Sequence, residues 1–487
     1  MTHVFHRNPH QSLEFAARGE GIRVFDRNGR SYIDACGGAA VSCLGYDHPH
    51  VIGAIKKQLD EMAYVHSSFF TTEACEDLAE FLATRAPGDL NHVYFVSGGS
   101  EAVEAALKLA RQYFVEKGET SRRHFIARRQ SYHGNTLGAL AIGGNAWRRE
   151  PFLPLLIEAH HVSPCYAYRD QRAGESEEQY AQRLADELDA KIRELGPENV
   201  AAFVAETVVG ATAGVLPPVG GYFKKVREVC DRHGVLLILD EVMSGMGRTG
   251  HLYACAEDDI VPDIIAIAKG LGAGYQPIGA IVATSRIYDT IVNGSGYFQH
   301  GHTYMSHATA CAAALAVQQV IERDGLLANV QERGEQLRTA LREQLADHPN
   351  VGDIRGRGLF VGVEFVAEKA GKTPLDPGMR IHAALKKRAM ENGLMIYPSG
   401  GTVDGKQGDH VLFAPPFTCT AADIDEIVEK FVMTVRSVLP AGDNLSRLPL
   451  PRSVVVPNRD VSLDIQGLVA AMPSMDAVNQ IDRTAGL

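Results

Sequence analysis

The chain has no Cys-x-x-Cys pair among its eight cysteines, which stand at 36, 43, 75, 165, 230, 255, 311 and 419. That spacing excludes a local zinc or redox motif and leaves free thiols in a reducing compartment as the plain reading. No apolar run reaches transmembrane length, and the opening "MTHVFHRNPH" lacks the apolar core of a secretory signal. The expectation is a cytoplasmic protein with no membrane partner. Positive charge is scarce: 48 Lys+Arg stand against 59 Asp+Glu, a formal net charge of -11, which opposes non-specific nucleic-acid binding. No Gly-Lys-Ser/Thr phosphate loop is present, and "GGSEAV" stands where a nicotinamide enzyme would want Gly-x-Gly-x-x-Gly after the first strand of a βαβ unit. His3, His6 and His10 crowd a terminus, where a mobile end is the ordinary reading, and no metal is expected.

What is present is an ordinary globular composition, 45% hydrophobic and 22% charged over 487 residues, enough for a large core and more than one domain. "GIRVFDRNGRSYIDACGG" reads as two strands around the turn Arg27-Asn28-Gly29-Arg30. From Asn91 onward, apolar strands ("HVYFVSGG", "RRHFIARR", "NVAAFVAETVVG", "VLLILDE", "DIIAIAKG", "IGAIVATSR") alternate with amphipathic stretches such as "SEAVEAALKLARQYFVEKG" and "GGYFKKVREVCDRHG". This is an α/β pattern with a sheet at least partly parallel. Helices follow from about Met305 to Ala346. "GRGLFVGVEFV" and "HVLFAPPF" then read as strands of a smaller domain closed by the helix after Thr420, an N-cap with Asp423 as the far half of a capping box. The expected division is an N-terminal segment, 1–62, belonging to the small domain; a large α/β domain, 63–325; the C-terminal small domain, 326–440; and a peripheral tail, 441–487.

Polar residues gather where the apolar strands end, the edge at which open α/β sheets bind ligands. In "VSGGSEAVEAALKLA", Gly98 and Gly99 allow a tight turn and Ser100 opens a helix whose free N–H groups suit an anion, although Gly-Gly-Ser before a helix is by itself usually only a cap. In "QSYHGNTLGAL", Tyr132 can stack on a flat ring or simply lie half buried, and His133 is a weak candidate base. In "GVLLILDEVMSGMGRTG", Asp240 ends a central strand, where a carboxylate needs a partner or a proton; Glu241 reads as a supporting residue, and Val242 is shaped to pack on an aromatic face. Asp240 could equally cap a turn. Lys269 ends "DIIAIA", 29 residues after Asp240, and is either a surface lysine or one placed for amine chemistry. Together they supply an anion cradle, a stacking ring, an acid for a ring nitrogen and an imine-forming amine, which are the requirements of pyridoxal 5′-phosphate.

At this point the sequence resembles the class III, or omega, aminotransferases of the fold type I pyridoxal-phosphate superfamily, from about residue 10 to 437. The segments that carry the resemblance are "YIDACGGAAVSCLGYDHP", "YFVSGGSEAVEAALKLAR", "YHGNTLGAL", "LILDEVMSGMGRTG", "DIIAIAKGLGAGYQPIGA", "GHTYMSHATACAAALA" and "IRGRGLFVGVEF". It implies a large domain built on a mostly parallel seven-stranded sheet flanked by helices, plus a smaller α+β domain. It implies Lys269 as the lysine that bonds the cofactor, Asp240 on the pyridine nitrogen, Tyr132 and Val242 on the two ring faces, and Gly99 and Ser100 at the phosphate. Thr303 would reach the phosphate of a neighbouring subunit in a homodimer with active sites at the interface, and Glu206 would lie beside the substrate. The reaction implied is amino transfer from a primary amine or omega-amino acid to a keto acid such as pyruvate. The family's lyases, phospholyases, decarboxylases and aminomutase are the alternative, and a non-enzymatic descendant would have been favoured by loss of Lys269 or Asp240.

Two departures stand out. Many members have Glu-Pro where this chain has Glu206-Thr207. Many also keep a mobile arginine just after "ENGL"; here Tyr397 falls at or next to that place, and no arginine lies between Glu391 and Phe417. A tyrosine cannot copy a bidentate guanidinium, so the expectation is a pocket less welcoming to donors with a distal carboxylate. Arg148 and Arg149 are candidate carboxylate binders or a solvated basic turn, and Arg355 and Arg357 are candidates that could serve only to join the domains.

Overall fold

Seven short apolar segments build the central sheet. In spatial order they are Leu90–Val96, Gly279–Thr284, Ile264–Ile267, Leu236–Asp240, Val200–Glu206, His124–Arg128 and His160–Val162. The computed structural model describes residues 2–440, so the tail expected at 441–487 lies outside the described residues. Gly279–Thr284 runs antiparallel to both its neighbours, and the remaining pairs are parallel. The sheet is therefore mostly parallel, as expected. Every residue of Val200–Glu206, Leu236–Asp240, Ile264–Ile267 and Gly279–Thr284 is buried. Helices cover both faces, which is why these strands read as near-continuous apolar runs rather than as alternating ones.

The helix Gly99–Glu116 covers one face through Ala102, Ala105, Ala106 and Ala110, small residues that let helix and sheet approach closely, with Val103, Leu109 and Phe114 filling the gaps. It begins one residue earlier than the sequence suggested. Gly98 is fully extended and takes the cap position, so that Ser100 lies inside the first turn.

The register fixes the functional edge. Glu206 lies opposite Asp240, and Asp240 opposite Ala266, three residues before Lys269. Parallel strands point their C-terminal ends the same way, and the intervening crossovers return the chain to the opposite edge.

Two four-stranded sheets flank this core. The N-terminal strands Ala16–Glu20, Arg23–Asp26 and Ser31–Asp34 are completed by Leu394–Met395 from the other end of the chain. The other sheet is formed by Val351–Arg357, Phe360–Phe365, Asp409–Phe413 and Tyr397–Gly400. Both pack with the helices Leu326–Leu345, Ile381–Glu391 and Ala421–Val438 into one hydrophobic cluster. The last of these helices starts with the Thr420/Asp423 capping box read from the sequence. All eight cysteines are buried and unpaired.

A buried ionic cluster ties the sheet of Val351–Arg357 to the loop after Glu206. Glu364, fully buried, accepts from Arg355 Nη1 (2.7 Å), Arg169 Nε (2.6 Å) and the Tyr166 hydroxyl. Arg355 also donates to the carbonyls of Val215 (2.7 Å) and Ala213 (2.7 Å). Arg357 is bound to Asp258 at 2.8 Å. Both arginines thus join parts of the fold, one of the two uses expected of them. Removing the Glu364 charge leaves Arg169 against the Lys372 carbonyl and Arg355 with Asp353 (2.9 Å) as its remaining carboxylate, and breaking one side of a buried ionic cluster costs about 3–5 kcal/mol. Glu364→Gln is expected to lower the unfolding free energy measured in urea by an amount approaching that range, whereas a loss below about 1 kcal/mol would show the cluster to be energetically idle.

Candidate active site

Where the strands end, a cavity of about 430 Å³ opens. It is lined by Gly99, Ser100, Tyr132, Glu206, Asp240, Val242 and Lys269, which are all the residues picked out from the sequence except Thr303. Thr303 is exposed, and its carbonyl accepts a hydrogen bond from the Tyr64 hydroxyl (2.9 Å).

Asp240 is held at both oxygens. Oδ1 accepts from the Val242 amide (2.9 Å), and Oδ2 accepts from Nδ1 of His133 (2.8 Å). The His133 side chain is fully buried and its Nε2 has no protein partner. Each carboxylate oxygen keeps a second lone pair free for a donor in the cavity. The partnership of His133 with Asp240 is what sequence reasoning missed. The sequence signal was its place directly after Tyr132, and both residues line the cavity.

Glu206 is also fixed by backbone, accepting from the Tyr132 amide (3.1 Å) and the Gly210 amide (2.9 Å). Burial raises its pKa; the charge of His133 opposes that rise and Asp240 adds to it. Two further residues hold this edge without entering the cavity. Arg128, buried, donates to the Glu206 carbonyl. Glu241 accepts from the amides of Ala254 (2.7 Å) and Cys255 (2.8 Å) and from the Thr207 hydroxyl (3.0 Å), and burial pushes its pKa up to about 7. Thr207, which replaces the family's usual proline, thus supplies a hydroxyl to Glu241 and an amide to the Asp240 carbonyl (3.2 Å).

Lys269 stands in the left-handed backbone region at φ 46°, a conformation that costs a lysine about 1–2 kcal/mol and is over-represented at functional sites. Burial pushes its amine down to about 8, and the carboxylates of Asp240 and Glu206 resist that fall. The free amine is therefore well populated near pH 8, as a nucleophile requires.

The anion end is formed by the first turn of the helix Gly99–Glu116, which no side chain caps and whose first N–H groups have no intrahelical acceptor. Bulk is excluded here. A Cβ on Gly99 would lie 2.7 Å from Val242 Cγ1, and one on Gly134, at φ 136°, would lie 2.7 Å from the Ser100 hydroxyl. With Tyr132 and Val242 lining the same cavity, the donor set is a phosphate cradle, a flat slot, a carboxylate and an amine, which fits pyridoxal 5′-phosphate.

The comparisons with known proteins decide the family. The model of the aminotransferase class-III family matches residues 4–435. The chain belongs to the class III aminotransferases. An uncharacterized aminotransferase of Schizosaccharomyces pombe is 45% identical over 440 residues, covering 90% of this chain and 96% of that protein. The diaminobutyrate–2-oxoglutarate transaminase of Halomonas elongata is 35% identical over 435 residues, 88% of this chain and 91% of that one. Among solved structures, the omega transaminase of Pseudomonas jessenii in complex with PMP superposes with a TM-score of 0.84 at 33% identity, covering 90% of this chain and 98% of that one. This class III aminotransferase is accordingly a pyridoxal-phosphate-dependent transaminase of fold type I, moving an amino group between an amine or omega-amino acid and a keto acid. Homodimers with active sites at the subunit interface are typical of the family. No helix among the described residues is long and apolar enough to cross a membrane.

The lowered pKa is directly measurable. Competitive acetylation of the cofactor-free protein across a pH series, read by peptide mass, is expected to show a midpoint near 8 at Lys269, with the exposed Lys57 as internal reference. A midpoint at the ordinary lysine value of about 10.4 would mean that burial does not act on this amine.

Proposed function

We propose that Lys269 carries the cofactor covalently and is also the proton carrier of an amino transfer from a primary amine or omega-amino acid to a keto acid. The observation that carries this reading is the convergence of a half-buried, low-pKa lysine and a fixed carboxylate in one cavity with an uncapped helix start. Gly99 and Ser100 would hold the phosphate through free amides of the first helical turn, and Tyr132 and Val242 would hold the ring. Bound pyridoxal phosphate supplies an electron sink that makes the C–H bond beside the substrate nitrogen acidic.

The protein's part is placement and proton transfer. Asp240, held by His133 and by the Val242 amide, would keep a proton on the ring nitrogen of bound pyridoxal phosphate. With pyridoxal phosphate bound, the Lys269 Nζ would take the proton from the amine-bearing carbon of the substrate and give it back on the cofactor side. Near pH 8 the amine has both forms available for this exchange. Glu206 flanks the substrate. Thr303, exposed on this chain, serves the phosphate of a neighbouring subunit in a homodimer.

For the substrate, two relatives are named for amino acids that carry an amine away from the carboxylate: the Halomonas elongata diaminobutyrate–2-oxoglutarate transaminase, and gamma aminobutyrate transaminase 3 of Solanum lycopersicum at 34% identity. The test is a half-reaction. The cofactor-loaded protein is mixed with monoamines, diamines and omega-amino acids, and the pyridoxal spectrum is followed. Conversion to the pyridoxamine spectrum, reversed by a keto acid such as pyruvate or 2-oxoglutarate, is expected. Release of carbon dioxide, phosphate or ammonia without a pyridoxamine stage would replace transfer by decarboxylation or elimination.

A further inference from the structure

Of the arginines singled out from the sequence, two are not bound into the fold. Arg355 and Arg357 are bound in the fold as described, and Arg248 is buried against the carbonyls of Leu359 (3.0 Å) and Pro415 (2.6 Å). Tyr397, at the place of the family's mobile arginine, packs in an apolar cluster with Val208 and Met243, both of which line the catalytic cavity. Arg148 and Arg149 are left, and Arg148 lies beside the site. Its guanidinium stands 4.7 Å from the centre of the Tyr132 ring.

Arg148 faces a second cavity of about 470 Å³, bordered by the glycine-rich loop 400–408 and by Lys406 within that loop. The loop is fastened to the segment that carries Tyr132. Gln130 donates to the carbonyls of Gly401 (2.7 Å) and Thr402 (3.1 Å), and Asn145 donates to Gln130 (3.3 Å). The side chain of Asn145 also accepts from the Arg148 amide, which sets the short helix Ala146–Arg149. The two cavities are neighbours along both walls. Tyr132 lines the first and carries Arg148 on its ring, while Tyr397 packs beside the first and is followed directly by Pro398 and Ser399 of the second.

The charges in this second cavity are unbalanced. Its carboxylate, Asp409, is taken by His382, which binds it through Nδ1 (2.6 Å) and through its amide (2.9 Å). Asp404, in the same loop, is exposed and accepts from the Lys406 and Gln407 amides. Among the described residues no carboxylate pairs with the Arg148 guanidinium or the Lys406 ammonium. The half-buried Arg148 guanidinium stacks on Tyr132, and among the described residues its N–H groups have no hydrogen-bond acceptor, which leaves them able to bind an anion.

We propose that Arg148 and Lys406 form an anion subsite beside the catalytic cavity, which takes the carboxylate or phosphate at the far end of the substrate. The inference rests on the transaminase reading and names its substrate class: amines and keto compounds with a distal anion. It revises the expectation drawn from Tyr397 alone, because the missing clamp is relocated to the other wall rather than lost.

The test compares cofactor-loaded wild type with Arg148→Met, Lys406→Met and the double variant. The amine half-reaction is measured with pentylamine, 5-aminopentanoate and 3-aminopropyl phosphate. The preference for the anionic donors, as a ratio of kcat/KM to that of pentylamine, is expected to fall about tenfold in each single variant and further in the double. The donor with the larger fall identifies the head group. An unchanged preference in the double variant overturns the subsite. Calorimetric binding of glutarate and of inorganic phosphate to the same proteins separates the two readings. Binding weakened at least tenfold by the substitutions, in a protein that transfers no amino group, would keep the subsite and sink the transaminase reading. Equal affinity in wild type and double variant, or no binding to wild type, would sink the subsite while leaving transfer intact.

Discussion

The structure depends on one register. Glu206 opposite Asp240, and Asp240 opposite Ala266, place two carboxylates and the Lys269 segment at a single edge of a sheet buried on both faces. A slip of one residue in any of these strands would exchange the side chains packed on its two buried faces and carry its polar end residue away from the cavity. The core residues of Val200–Glu206 and Leu236–Asp240 are thus also the devices that aim the site. The electrostatics follow from that placement. Burial lowers Lys269 to about 8 against the pull of the Asp240 and Glu206 carboxylates, and burial raises Glu206, with His133 opposing that rise and Asp240 adding to it.

Around this edge the chain uses backbone amides and buried side chains as fixed supports. Asp240 is oriented by an imidazole and an amide, Glu206 by two amides, and Glu241 by two amides and a hydroxyl. Such preorganised donors need no rearrangement when charge shifts during reaction. The same economy governs the arginines. Those in the second sheet and in "GMGRTG" are consumed by the fold, while among the described residues Arg148 and Lys406 border the second cavity with no carboxylate partner.

Much of this was legible in the sequence because its signals are local. Apolar runs ending on Glu206, Asp240 and Lys269 reveal strands with a polar edge, and the alternation with amphipathic stretches reveals the α/β class. Thr420 and Asp423 announce a helix start that the structure reproduces in full. Seven of the eight residues picked from the motifs meet in one cavity. What could not be read arises from contacts distant in the chain. The bond from His133 to Asp240 spans 107 residues, and that from Arg355 to the Ala213 carbonyl spans 142. The antiparallel insertion of Gly279–Thr284 between Leu90–Val96 and Ile264–Ile267 leaves no mark in an apolar run that looks like its parallel neighbours. The charge imbalance around Arg148 likewise appears only when loop 400–408 is folded against it.

The central claim is that Lys269 is the residue that takes the cofactor. Reduction of the cofactor-loaded protein with borohydride, followed by peptide mapping, tests it most directly. The account requires a single pyridoxyl group on the peptide containing Lys269 and its loss in Lys269→Ala. A pyridoxyl group on any other lysine of the loaded wild-type protein would contradict it.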